Sequence, residues 1–395
     1  MLDQVTIIFI EWKKAKRREK MRKLIIILVT GLFILPLTAG GGWITKRLTW
    51  NSGGSHSPAI AVDSNNHLHV VWHDETPGNY EIYYKKSTDG GSSWITKRLT
   101  CNSGGSYSPA IAVDSNNNLH VVWRDLTPGT WEIYYSKSTD GGSSWITKRL
   151  TWNSGWSWDP ALAVDSNNNL HVVWEDDTPG HWEIYYKKST DGGSSWITKR
   201  LTWNSDWSYS PAIAVDSNNN LYVVWVDESP GNSEIYYSKS IDGGSSWTTK
   251  RLSWTSGCSS SPAIAVDSNN HLHVVWKDYT PGNGEIYYKK STDGGSSWTT
   301  KRLTWNSGDS LSPAIAIDSN NHLHVVWMDS TPGKCEIYYK KSADGGSSWT
   351  TKRLTWNSGD SSSPAIAVDS NNHLHVVWSD NTPGNDEIYY KKGTD

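Results

Sequence analysis

One recurring phrase limits what this chain can fold into. The prolines of Ser-Pro-Ala-Ile-Ala-Val-Asp and its variants stand at Pro58, Pro109, Pro160, Pro211, Pro262, Pro313 and Pro364, always 51 residues apart. Such a unit cannot bury its apolar face alone, so neighbouring copies must stack, and this period outranks chain length as a guide to architecture. Each copy reads as four strands: A from Pro58, B over His67–Trp72, C over Glu81–Lys86 and D over Trp94–Thr100. Asp-Ser-Asn-Asn, Thr-Pro-Gly and Gly-Gly turns separate them, all residues with a turn-forming mechanism. Val70-Val71-Trp72 and Ile82-Tyr83-Tyr84 are apolar on both faces, as sheets sandwiched between sheets require. Ala59 and Ala61 keep strand A slim where a radial array is crowded. The expected fold is all-β, a seven-bladed β-propeller with four antiparallel strands per blade.

The last copy stops in the middle of its phrase. Asp395 holds the repeat position of Asp89, and the next position maps back onto Ala39, followed by Gly40, Gly41, Gly42 and Trp43. Residues 39–395 number 357, seven times 51. The N-terminal strand Trp43–Thr49 is therefore expected to complete the last blade, closing a ring without free sheet edges. Residues 40–395 are read as the propeller and 1–39 as a leader. The leader carries a basic stretch from Lys13 to Lys23 and a fourteen-residue apolar run, Leu24–Leu37, before Ala39. Fourteen residues fall short of the about 20 needed to span a bilayer, and small residues follow, so a cleaved signal peptide is expected. Its signal-like part starts at Met21, an alternative translation start. A secreted or cell-surface protein with no membrane span after cleavage follows.

Cleavage would remove eight Lys/Arg and three Asp/Glu, moving the formal charge from −3 to −8 and arguing against a nucleic-acid partner. Cys101, Cys258 and Cys335 occupy three different repeat positions, which fits isolated thiols rather than a disulfide framework. No cofactor and no metal site are expected. His69 and its copies read as hydrogen-bonded strand residues, satisfied between blades.

Ser87-Thr88-Asp89-Gly90-Gly91-Ser92-Ser93-Trp94 and five further complete copies resemble the Asp-box, S-x-D-x-G-x-[ST]-W, of sialidase-type (BNR-repeat) propellers. The box residues Asp89, Asp140, Asp191, Asp242, Asp293, Asp344 and Asp395 are expected to tie hairpins, with Gly91 tolerating positive φ and Trp94 plugging the turn. The resemblance implies boxes on the face opposite any active site. It also implies, for a sialidase, three carboxylate-binding arginines, an Arg-Ile-Pro motif, a Tyr/Glu nucleophile pair and an acid/base Asp. Arg-Ile-Pro is absent here, and Arg47 and its six copies all lie in outer strand D. Arg124 alone remains. Tyr83 and Glu81 recur in every copy as strand residues. A non-catalytic role is therefore expected, with exoglycosidase activity or a protein-interaction surface as the alternatives.

Comparing the seven copies locates the variation in the D–A link and the B–C loop, which emerge on one face. Aromatics cluster there in copies 2 to 4: Trp131, Trp156, Trp158, Trp182 and Trp207, with Tyr107 and Tyr209. Contiguous exposed aromatics mark binding surfaces. Asp159, Glu175, Asp177 and His181 stand beside them as candidate partners for hydroxyls, and Glu175 with Asp177 as a candidate acid/base pair. The expected ligand is a glycan or glycoprotein, and the expected state is a monomer.

Overall fold

A computed structural model describes residues 42–394. The leader and Asp395 lie outside the described residues. Twenty-eight strands form seven four-stranded antiparallel sheets, each with strand order A-B-C-D from the axis outward. In blade 1 the strands are Ser55–Val62, Leu68–Asp74, Glu81–Ser87 and Ile95–Arg98. Strand A starts upstream of its proline because a bulge lies between His56 and Ala59, with Ser57 at φ 49°. The bulge absorbs a Pro that cannot donate to the ladder. Strand D is shorter than expected. Past Arg98 the Thr100 hydroxyl takes over as acceptor for Ile82 N–H at 2.8 Å, so side chain replaces ladder.

The ring closes through the N-terminal strand. Ile44–Arg47 pairs antiparallel with strand C of blade 7, Thr45 opposite Lys391. Leu48 N–H then donates to Ile388 C=O at 2.7 Å, and Arg47 Nη2 pairs with Glu387 at 2.7 Å. The core lies between blades. Leu48, Val377, Ile388 and Tyr390 of blade 7 pack against Leu68, Val70 and Trp72 of blade 1. The seam between blades 2 and 3 has the same composition, Val122, Ile133, Tyr135 and Leu150 against Leu170, Val172 and Trp174. The closing seam is thus built like the others.

The A–B turns and the C–D hairpins share one face. Asp89 Oδ1 accepts Ser93 N–H at 2.8 Å, Ser87 Oγ accepts Gly91 N–H at 2.8 Å, and Trp94 Nε1 donates to Gly91 C=O at 3.2 Å. The Ser93 hydroxyl is the largest of the hydrogen bonds that hold the Asp89 carboxyl well below its usual range. Trp94 packs edge-on against Tyr390 of the preceding blade, centroids 5.2 Å apart, so the hairpin clasps two blades together. Trp43 makes the equivalent contact with Tyr339 at 5.4 Å. On the same face Asn117 Oδ1 accepts from Ser64 of the preceding blade, and Asn66 closes that circle by accepting from Ser370 N–H at 2.9 Å.

The strand-B histidines are satisfied within their own blade rather than between blades. His69 Nδ1 meets the Tyr84 hydroxyl at 2.8 Å and Nε2 meets Asp63 at 3.4 Å. The histidine and its tyrosine are diagonal cross-strand neighbours, Tyr84 standing opposite Val71 two residues along from His69, and only the tyrosine reaches the next blade, at Gly141 C=O. In blade 4 Tyr222 replaces the histidine, and its hydroxyl donates to Asp216 at 2.8 Å.

Candidate functional site

The D–A links and B–C loops are braided on the opposite face. Asp74 Oδ1 caps the B–C turn through Thr76 N–H at 2.9 Å. The Asn79 amide then reaches the next blade, donating to Asn102 C=O and Gly104 C=O at 2.9 and 3.0 Å. The brace recurs through His181, Asn232, Asn283 and Asn385, whereas blades 2 and 6 carry Thr130 and Lys334 at that position. At the centre of this face is a hollow of about 400 Å³ lined by the seven bulge residues and their prolines. Six of the seven are serine. The third is Asp159, at φ 44°.

Outside the hollow an arc of rings crosses blades 1 to 3. Tyr80 meets Tyr107 at 4.6 Å, Tyr107 meets Trp131 at 5.3 Å, and Trp131 meets Trp158 at 6.3 Å. Trp158 is stacked on Trp156, 5.7 Å apart and within 8° of parallel, and touches Trp182 at 5.1 Å. His56 and His73 extend the arc on the blade-1 side, His73 lying 5.2 Å from Tyr107. Arg124 is caged within it, its guanidinium 4.5 Å from Trp158, 5.3 Å from Trp131 and 5.5 Å from Tyr107. Each such contact contributes about 0.5–2 kcal/mol, more where water is excluded. Trp156 is the outermost ring and is 46% exposed.

Charges meet at the inner edge of the arc. Arg124 Nη1 lies 3.4 Å from Asp159 Oδ1. Glu175, cross-strand from Trp158, is buried and accepts Ser210 N–H of blade 4 at 2.6 Å. Burial, and then the neighbouring Asp159, push its carboxyl above the usual carboxylate range, against the opposing pull of the Ser210 N–H and Arg124. Burial likewise pushes His73 down to about 3, leaving it neutral. Arg124 Nε, Trp158 Nε1 and His73 Nδ1 are buried donors or acceptors without a protein partner among the described residues.

The structure gathers Trp131, Trp156, Trp158, Asp159, Glu175 and Trp182, with Arg124 and Tyr107. Trp207 is exposed on blade 4 outside the arc, and Tyr209 turns its hydroxyl to Glu228 at 3.0 Å. His181 repeats the bracing role of Asn79, meeting Glu183 at 2.9 Å and Asn204 C=O at 2.8 Å. Asp177 accepts the N–H of Trp156 and so fixes the loop that carries it. The carboxylate that acts on Glu175 is therefore Asp159 rather than Asp177. Sequence reasoning missed Tyr80, His73 and His56. The signal was present: the repeat position occupied by His73 holds His, Arg, Glu, Val, Lys, Met and Ser in successive blades. Among the described residues no group of three His, Cys, Asp or Glu side chains is placed to hold a metal, and the three cysteines are free.

No protein-family model matches the chain, and no curated protein matches it. Solved structures do resemble it. An ulvan lyase aligns at TM-score 0.63 and 10% identity, over 87% of this chain and 95% of that one. The α-L-arabinofuranosidase Arb93A from Fusarium graminearum aligns at 0.56 and 15%, over 90% and 97%. The Hadza microbial sialidase Hz136 aligns at 0.52 and 16%, over 70% of this chain and 64% of that one. At these identities the shared property is the propeller fold.

Proposed function

We propose that this chain is a carbohydrate-binding propeller of the Asp-box type, acting without catalysis, secreted or at the cell surface after loss of residues 1–39. The observation that carries the reading is the arc of rings around Arg124 on the one variable face. Flat indoles offer apolar faces to sugar rings, while the partly exposed Arg124 and Asp159 side chains offer hydrogen bonds to hydroxyls. Among the fold's solved relatives, one was captured bound to a GlcA(1-4)Rha3S saccharide and another with an iminosugar inhibitor, which supports a carbohydrate ligand here.

A glycan array probed with the purified protein should give signal that Trp156→Ala reduces by about tenfold, equivalent to about 1.4 kcal/mol. Trp156 is exposed enough for the variant to fold. Signal unchanged in Trp156→Ala and in Trp182→Ala would reject the arc as the site.

Glu175 favours a second reading. A buried carboxyl pushed above its ordinary range beside a second carboxyl, Asp159, is the kind of pairing a glycosidase uses as acid and base. Against it, Glu175 is tied to Ser210 and is only 5% exposed. Turnover of fluorogenic sialosides or arabinofuranosides that Glu175→Gln abolishes would establish it. Absence of turnover across such a panel disposes of it.

A further inference from the structure

A second set of tryptophans stays in water. Trp50, Trp152, Trp203, Trp254, Trp305 and Trp356 hold one repeat position and are each 66–69% exposed, whereas Trp72 and its copies in strand B are at most 1% exposed. Burial cannot be their purpose. Each is nevertheless held in place: the Arg47 guanidinium, fixed by Glu387 at 2.7 Å and by Thr49 C=O at 2.6 Å, lies 5.7 Å from the Trp50 ring. The same stack recurs under the other five. One ring face rests on a neutralised cation, and the other is open.

That open face borders a groove on the next blade. Trp305 leans over blade 6, where it encloses a hollow of about 230 Å³ with Tyr338, Lys340 and Thr351. The lysine is the unusual member. Lys289 and Lys391, its counterparts, are 9% and 8% exposed and lie 5.8 and 5.7 Å from Trp254 and Trp356. Burial alone pulls Lys85, Lys187, Lys289 and Lys340 below the usual lysine range, and burial is the largest cause for Lys391. No carboxylate pairs with any of the five among the described residues. Their partners are neutral: Lys340 and Lys187 donate to the Thr351 and Thr198 hydroxyls at 2.6 Å, and Lys391 donates to Leu354 C=O. The groove thus sets an ammonium without a counter-charge beside a flat apolar face.

We infer that these lateral grooves are sites for a terminal acidic sugar, its ring stacked on the tryptophan and its carboxylate or sulfate on the lysine. A hollow of 230 Å³ lies below the ~300–1,000 Å³ of ordinary small-molecule pockets, so a single residue fits better than a chain. The repeat also sets the count. Blade 2 lacks both groups, with Cys101 and Ser136 in their places, and blade 4 has Trp203 but Ser238, whose hydroxyl contacts Thr249 at 3.1 Å instead. Five Trp–Lys pairs at these repeat positions remain of seven: Trp50 with Lys85, Trp152 with Lys187, Trp254 with Lys289, Trp305 with Lys340 and Trp356 with Lys391. Five weak sites around one rim gain avidity for a polymer or surface that displays the same sugar many times.

These grooves are independent of the aromatic arc, and they are tested in a Trp156→Ala background, which weakens binding at the arc about tenfold. Calorimetric or native mass-spectrometric titration with D-glucuronate, N-acetylneuraminate and galactose 6-sulfate should give five equivalents. The first two probe carboxylates and the third a sulfate, so the arms tell the two acids apart. Galactose should bind about tenfold more weakly. Trp305→Ala should reduce the count to four, and Cys101→Trp with Ser136→Lys should raise it to six. A count of zero or one, a count indifferent to both changes, or equal binding of galactose would overturn the inference.

Discussion

Leu48→Ala tests whether the N-terminal strand closes the ring. Leu48 is 1% exposed and belongs to the cluster that joins blade 7 to blade 1. Its repeat equivalent Leu150, 2% exposed, sits in the same place between blades 2 and 3. A buried Leu→Ala change costs about 2–5 kcal/mol in lost transfer energy and residual cavity, so about 3 kcal/mol is expected at each seam. Unfolding entropy of about 2.1 cal/mol/K per residue over the 353 residues from 42 to 394 gives about 0.7 kcal/mol/K. Each variant should therefore lower Tm by about 4 °C and shift the urea midpoint equally, followed by tryptophan fluorescence. The paired design carries the test. If Leu150→Ala loses about 3 kcal/mol while Leu48→Ala stays within about 0.5 kcal/mol of the parent, the N-terminal strand is not docked and the closure argument is wrong.

Stability should also fall with acid. Burial pulls His69 and His375 down to about 4 and His73 to about 3, below the unfolded value near 6.5. The unfolded chain takes up these protons first, so the stabilisation is complete above about pH 6.5 and is lost as pH falls toward 4. By pH 5 the loss is about 2 kcal/mol per histidine, about 6 kcal/mol for the three, and a urea midpoint that does not move between pH 7.5 and 5 would contradict it. Gly91→Ala should destabilise more than Gly78→Ala by about 1–3 kcal/mol in the same assay. Both sit at positive φ, but a Cβ at Gly91 would lie 2.5 Å from the Tyr390 hydroxyl, whereas nothing lies within 4 Å of one at Gly78. Equal losses would show that the C–D hairpin does not clasp the blades.

Much of the candidate site was legible from comparing copies, because function on a repeat scaffold breaks the repeat. Trp131, Trp156, Trp158 and Trp182 stood out as new aromatics in otherwise fixed loops, and the structure joins them. What could not be read was adjacency between blades. Trp207 sits in the same kind of loop as Trp156, yet only blades 1 to 3 bring their rings within 4.6–6.3 Å of one another. Glu175 and Asp177 are two apart in sequence, but the strand end points one toward Arg124 and Asp159 and the other into a loop backbone. The framework tryptophans hid for the opposite reason: they repeat, and repetition looks structural until their exposure is known.

The 51-residue period, the four strands and the split last blade follow from the amino-acid order alone. Turn residues and apolar runs act locally, and identical units allow few ways to bury identical faces. Which side chains share a microenvironment is decided only by the closed ring. Wrapping the sheets about an axis brings together residues about 20 to 35 positions apart in neighbouring copies, and it determines which rings cage Arg124, which carboxyl is buried beside another and which indoles are left in water.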